Sequence, residues 1–141
     1  MRATNFVDEK GGAVNPSAGA RSTANDYMNF LSMLLNKGMF EGKQILSPES
    51  IAEMQKPQQT GLPVKYVPKE MQGFQYGLGQ WIVDTDGKKA VTSPSLTGTW
   101  PFIDSCRNYA CIILVEKPLK EDKKQTFLQL KDIIDEQIPC K

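Results

Sequence analysis

Apolar residues recur at helical spacing near both ends of the chain and at closer, strand-like spacing between them. Tyr27, Phe30, Leu31, Leu34 and Leu35 fall on one face of a helix running from Thr23 to about Asn36. Thr23 with Asp26 three residues on has the form of a capping box, and Lys37-Gly38 supplies a basic last turn and a left-handed stop. That face is expected to fill a core. A turn follows at Glu41-Gly42, with Phe40, Ile45 and Leu46 as apolar anchors. Ser47 as cap, Pro48 at the first helical position and Glu49 in the positive first turn then predict a second helix, which Pro57 ends after about two turns.

After a proline-rich loop over 58–73, the pattern changes. A strand is predicted over 74–84, where Gly77 and Gly79 interrupt Tyr76, Leu78, Trp81, Ile82 and Val83 and allow another backbone to approach closely. Asp84-Thr85-Asp86-Gly87 is hairpin-turn chemistry leading to a shorter strand over 88–92. A third strand is expected over 93–104. It starts small and polar at Ser93-Pro94-Ser95 and ends bulky at Trp100, Phe102 and Ile103, the character of a segment bordering a ligand site. After a turn at 104–108, residues 109–115 read as a buried strand. Pro118 ends the sheet, and a helix is expected from about 119 to 137 with Phe127, Leu130, Ile133, Ile134 and Ile138 on its buried face. The order predicts an α+β fold, with about four antiparallel strands packed against two helices before them and one after.

The charge balance, 17 basic against 16 acidic residues with no basic block longer than a pair, argues against nucleic acid as a partner. No apolar run has the length of a membrane span. The chain starts without a basic and apolar leader, so either the protein is not exported or its leader lies outside this sequence. Histidine is absent, and Cys106, Cys111 and Cys140 stand singly. That composition excludes a CxxC pair, a zinc-binding histidine cluster and a Ser-His-Asp triad within the chain, and no cofactor or metal is expected. From Cys106 the chain runs out about 26 Å along a strand and returns about 25 Å along a helix. Cys106 and Cys140 are therefore predicted to be bridged or poised to bridge, consistent with an exported protein, with Cys111 a buried strand thiol.

Several segments together carry a family resemblance. Gly19-Ala20-Arg21-Ser22-Thr23-Ala24-Asn25-Asp26 resembles the Gly-x-x-Ser-Thr-Ala-x-Asp helix start of the serine β-lactamase and penicillin-binding-protein superfamily, especially its related serine hydrolases and esterases. Leu34 to Gly38, Gly42 to Glu49, Tyr76 to Trp81 and Gly98 to Asp104 follow in the family's order. Met1-Arg2-Ala3-Thr4-Asn5-Phe6 is similar to an internal element, Gly-Met-x-x-Thr-x-Phe, from its second residue onward. The resemblance implies the C-terminal part of that fold, a single partial domain over 1–141: loop 1–22, helical segment 23–57, proline-rich loop 58–73, strands 74–116 and helix 119–138.

Members of the family acylate a serine in Ser-x-x-Lys, use Tyr-x-Asn or Ser-x-Asn as a second catalytic element, and line the far wall with Lys-Thr-Gly or His-x-Gly. No Ser-x-x-Lys occurs here, so the resemblance implies a nucleophile outside this chain and no catalytic residue within it. The far wall falls on Ser93, Ser95, Leu96 and Thr97, with Ser93 at the Lys or His position and Ser95 at the Gly position. A serine hydroxyl donates only a neutral hydrogen bond there, and the loss of the glycine changes how closely the strand meets a substrate. The Leu96 backbone N–H matches the family's second oxyanion donor, a role independent of side-chain identity. The resemblance thus implies a C-terminal fragment of an acyl-serine hydrolase acting on a lactam, peptide or ester. It would be inactive alone, periplasmic or secreted, and partnered by the missing N-terminal part. A non-catalytic module holding a peptide or glycan in the cleft around Ser93, and a fragment that self-associates through its exposed core, are the alternative expectations.

Overall fold

The computed structural model describes residues 22–61, 65–85, 87–95, 98–115 and 124–140. The expected loop before Ser22, Asp86 of the hairpin turn, Leu96, Thr97, Pro118 and the first turn of the expected last helix lie outside the described residues.

Local chemistry starts and stops the first elements as expected. Helix α1 spans Ala24–Leu35. The Thr23 hydroxyl accepts the Asp26 N–H at 3.1 Å and donates to the Asp26 carboxylate at 2.8 Å, so the acid closes on the hydroxyl of the cap. At the other end, the Gly38 N–H donates to the Met33 carbonyl and the Lys37 N–H to the Leu34 carbonyl, the paired bonds of a Schellman stop. Strands β1 (Met39–Phe40) and β2 (Lys43–Gln44) form a hairpin turned at Glu41 and Gly42, both at positive φ. Ile45 and Leu46 are exposed and do not anchor the core as expected, because this hairpin pairs only with itself and Phe40 is the residue of it that reaches inward. Helix α2, Pro48–Met54, is capped by Ser47, whose hydroxyl accepts the Ser50 N–H at 3.1 Å.

The main sheet is an antiparallel meander in the order β3–β4–β5–β6–β7. Its strands are β3 (Gln75–Tyr76), β4 (Trp81–Thr85), β5 (Lys88–Thr92), β6 (Thr99–Asp104) and β7 (Tyr109–Leu114). The single strand expected over 74–84 is divided in two. The Gly77 N–H donates to the Gln80 carbonyl at 2.8 Å and Gly79 takes φ 74°, so the chain folds back and pairs Tyr76 with Trp81. The strand expected from Ser93 begins only at Thr99.

The two glycines of this turn serve different needs. Gly79 supplies a left-handed residue, whereas Gly77 supplies room: the Leu78 N–H donates to the Met54 carbonyl at 2.9 Å, and a Cβ on Gly77 would run into that carbonyl oxygen. This close approach docks the end of α2 on the sheet. Gly77→Ala is therefore expected to lower stability by about 1–3 kcal/mol, the usual range for overpacking, read as a lower urea midpoint at unchanged slope. An unchanged midpoint would show that the contact is loose.

Strand β6 is buried on both faces, and its alternation divides the core. Ile103 packs with Ile82, Val91, Leu31, Leu34 and Ile51 beneath α1 and α2. Trp100 and Phe102 face the other way, against Phe127 of helix α3 (Lys124–Gln137), with the Trp100 and Phe127 ring centroids 4.8 Å apart. The result is an α+β arrangement of helix, sheet and helix layers.

Helix α3 is rotated relative to the expected face. Phe127 is buried and Ile134 and Ile138 are half-buried, but Leu130 and Ile133 are 42% and 58% exposed. Lys131 and Asp135 turn inward instead. Lys131 Nζ lies 3.0 Å from Asp104 and 2.6 Å from Asp135, Arg107 lies 3.1 Å from Asp104, and the Tyr109 hydroxyl donates to Asp135 at 2.8 Å. Asp104 is fully buried at the end of β6, so the helix presents charge to charge and leaves two apolar side chains outside.

Candidate functional site

A cleft of about 160 Å³ lies between α1, the turn over 78–80 and strands β5 and β6, and Ser93 borders it. Tyr27, Phe30 and Leu34 line it from α1, Val91 from β5 and Pro101 from β6. Phe30 is 46% exposed, so it opens on the cleft rather than filling the core as its spacing suggested. Gln80, held in place by the Gly77–Gln80 turn, lines the same space.

The expected wall residues separate. Ser93 follows β5 directly, is exposed, and borders the cleft. Ser95 is exposed and is not among the lining residues; its N–H donates to the Thr99 carbonyl at 2.8 Å and its carbonyl accepts the Gly98 N–H at 3.1 Å. Leu96 and Thr97, including the expected backbone donor, lie outside the described residues. The Thr92 hydroxyl donates to the Pro101 carbonyl within the buried sheet.

The chemistry open to this cleft is narrow. Among the described residues no Lys, Arg, Asp or Glu lines it, so none of those charged groups is placed there to serve as the base for a serine nucleophile. Burial pushes the Tyr27 phenol above its ordinary range, which keeps it neutral. Tyr27-Met28-Asn29 does have the Tyr-x-Asn spacing of the family's second catalytic element, but it lies inside α1 with Asn29 exposed. Among the described residues no group of His, Cys, Asp or Glu could hold a metal ion.

On the far side of the sheet, Cys106 and Cys140 form a disulfide with Cα atoms 5.0 Å apart, as chain length predicted. Cys111 is a half-buried free thiol on β7, less enclosed than expected, and burial pushes its pKa up. Sequence reading missed two features. The buried cluster of Asp104, Arg107, Lys131 and Asp135 left one signal, an oppositely charged pair four residues apart on an apolar helix face. Gln80 left none.

The layers and the meander sheet define an α+β domain matching part of the β-lactamase-like fold. A search against protein-family profiles found no match, and a search of curated proteins found none. Among solved structures, the chain is similar to a "putative beta-lactamase from Bacteroides dorei DSM 17855" at 25% identity and a TM-score of 0.59. The likeness covers 80% of this chain and 39% of that one, so this chain spans about two fifths of its length. No helix among the described residues is long and apolar enough to cross a membrane.

Proposed function

We propose that this chain is the C-terminal part of a β-lactamase-like serine hydrolase and contributes one wall of a site that acylates a serine with a lactam, peptide or ester. The observation that carries the reading is the fold match to part of a putative β-lactamase. In this reading Ser93 and Thr97 border the substrate, Ser95 stands outside the described cleft, and the Leu96 N–H stabilises the oxyanion. Removal of such a donor typically costs about 2.7–4 kcal/mol of transition-state stabilisation. The nucleophile comes from a preceding segment, a reading supported by the lack of Ser-x-x-Lys in the sequence and of a Lys, Arg, Asp or Glu among the described residues lining the cleft at Ser93. Export to the periplasm or outside the cell accords with the Cys106–Cys140 disulfide.

One observation favours a second reading, a non-catalytic module that holds a peptide or glycan: the cleft has a serine where the family has a charged or imidazole group, and no charged side chain among the described residues lines it. A serine-reactive fluorophosphonate probe tests both. The isolated chain is expected to remain unlabelled, and labelling would overturn the assignment of the nucleophile to another segment. If the coding sequence upstream holds an in-frame Ser-x-x-Lys, the joined protein should label there. A joined protein that lacks the motif and does not label would favour the binding module.

A further inference from the structure

We infer that the Cys106–Cys140 disulfide is a redox latch on helix α3: its reduction lets α3 leave the sheet while the rest of the domain stays folded. The bridge ties the turn before β7 to the segment just beyond α3. Both cysteines are half-buried, with exposed Ser105 and Pro139 beside them, so a small reductant reaches the sulfurs.

Helix α3 has little else to hold it. Among the described residues Phe127 and Lys131 are its only buried side chains, while Leu130 and Ile133 face solvent. The cross-element polar ties are Lys131 with Asp104, and Arg107 and Tyr109 with Asp135. Charges that regain water on release contribute little net stability as intact pairs, and a helix of 14 residues freed from its contacts is marginal in water. Helix α1, by contrast, buries Leu31, Met33 and Leu34. The sheet keeps its own support when α3 departs. The core beneath α1 contains no residue of α3, and in the opposite cluster Met71, Trp100 and Phe102 retain Val67, Phe74 and Trp81 as neighbours once Phe127 and Leu128 withdraw. Release thins the cover of Trp100 and Phe102 and opens the groove of about 620 Å³ between α3 and β4–β5.

A small dithiol supplies the electrons. Its thiolate attacks one sulfur of the bridge and forms a mixed disulfide, and the other cysteine leaves as a thiolate. The second thiolate of the dithiol then displaces the remaining cysteine, so the reagent ends as a disulfide and both protein thiolates take up protons. The latch lies across the sheet from the cleft at Ser93 and does not depend on the hydrolase reading.

The test is amide hydrogen exchange of the whole chain, oxidised and then reduced with a dithiol, and of the Cys106→Ser/Cys140→Ser variant without reductant. Reduction is expected to speed exchange in α3 by about a hundredfold, the order of the loop-closure entropy lost with the bridge. Amides of α1, β5 and β6 should remain slower than those of α3 and show the steeper urea dependence, because they open only in global unfolding. The variant should reproduce the reduced pattern, and the reduced wild type gives the same readout even if the variant does not fold. Equal rates and urea slopes for α3 and β6 in the reduced chain would mean that the domain opens as one unit and would overturn the inference. Exchange in α3 that neither reduction nor the paired substitution changes would overturn it as well.

Discussion

Asp104→Ala is expected to destabilise the protein by about 3 kcal/mol, measured as a lower urea midpoint, because it leaves one positive charge uncompensated at the interface of β6 and α3. Asp104 and Asp135 balance Arg107 and Lys131 in a four-membered cluster, and the Asp104 and Lys131 side chains are both nearly free of solvent. The estimate lies at the low end for breaking a buried pair, since Asp135 still faces both cations. Removing opposite charges together should cost less than removing one. Asp104→Leu combined with Lys131→Met is expected to be more stable than Asp104→Leu alone, and a larger loss in the double variant would point to packing instead of charge.

Acid should act through the same group. Burial pushes the Asp104 carboxyl up, but the Arg107 backbone N–H, the Lys131 ammonium and the Arg107 guanidinium together outweigh burial and hold it below its ordinary value. A carboxyl depressed by folding binds fewer protons in the native than in the unfolded chain. Its contribution is present above the unfolded pKa of about 3.9 and is lost as pH falls through the lower folded value. Urea midpoints should therefore fall more steeply below about pH 4 in the wild type than in Asp104→Asn. Equal slopes would remove Asp104 from the acid response. Burial and Asp135 push the Tyr109 phenol far up, so it remains protonated and keeps donating to Asp135 across this range.

The second large effect belongs to the disulfide. Cys106 and Cys140 are separated by 34 positions, and a cross-link closing a loop of that length restricts the unfolded chain by about 4 kcal/mol in the chain-entropy account. Cys106→Ser with Cys140→Ser is expected to lose stability of that order, and reduction of the wild type should have the same effect. The bridge joins the turn that carries Arg107 to the segment beyond α3, so it also holds the charge cluster closed. Alkylation in denaturant without reductant should modify only Cys111, and with reductant all three cysteines. Three modified thiols without reductant would show that no bridge forms.

The boundaries of the elements were largely legible because short-range chemistry sets them. Thr23 with Asp26, Ser47 with Pro48, and Lys37-Gly38 each satisfy orphan backbone groups within a few residues, and each marks a helix end in the structure. The turn at Gly87 was equally local: its N–H donates to the Asp84 carboxylate at 2.9 Å, and Thr85 pairs with Lys88 across it. The Cys106–Cys140 bridge was readable from chain geometry, since a strand and a returning helix have fixed rises. The split at Gly77 to Gln80 was less legible, because glycine in an apolar run fits both a crossing backbone and a reversal, and here Gly77 admits the first while Gly79 makes the second.

The candidate cleft was legible only through Ser93. Gln80 sits next to Trp81 and reads as an ordinary polar position in a strand pattern; the fold buries it and leaves its amide nitrogen without an acceptor among the described residues.

By itself the sequence determined the α+β class, the helix ends, the disulfide and the absence of a Ser-x-x-Lys nucleophile, because each depends on residue identity, local capping or contour length. Only the tertiary structure decided which side of α3 meets the sheet. A buried Asp104, supplied by a strand 27 positions before Lys131, attracts Lys131 inward and with it Asp135, so Leu130 and Ile133 are left in solvent despite their apolar spacing. Periodicity records which residues share a helix face, but the charge buried opposite that helix determines which face turns inward.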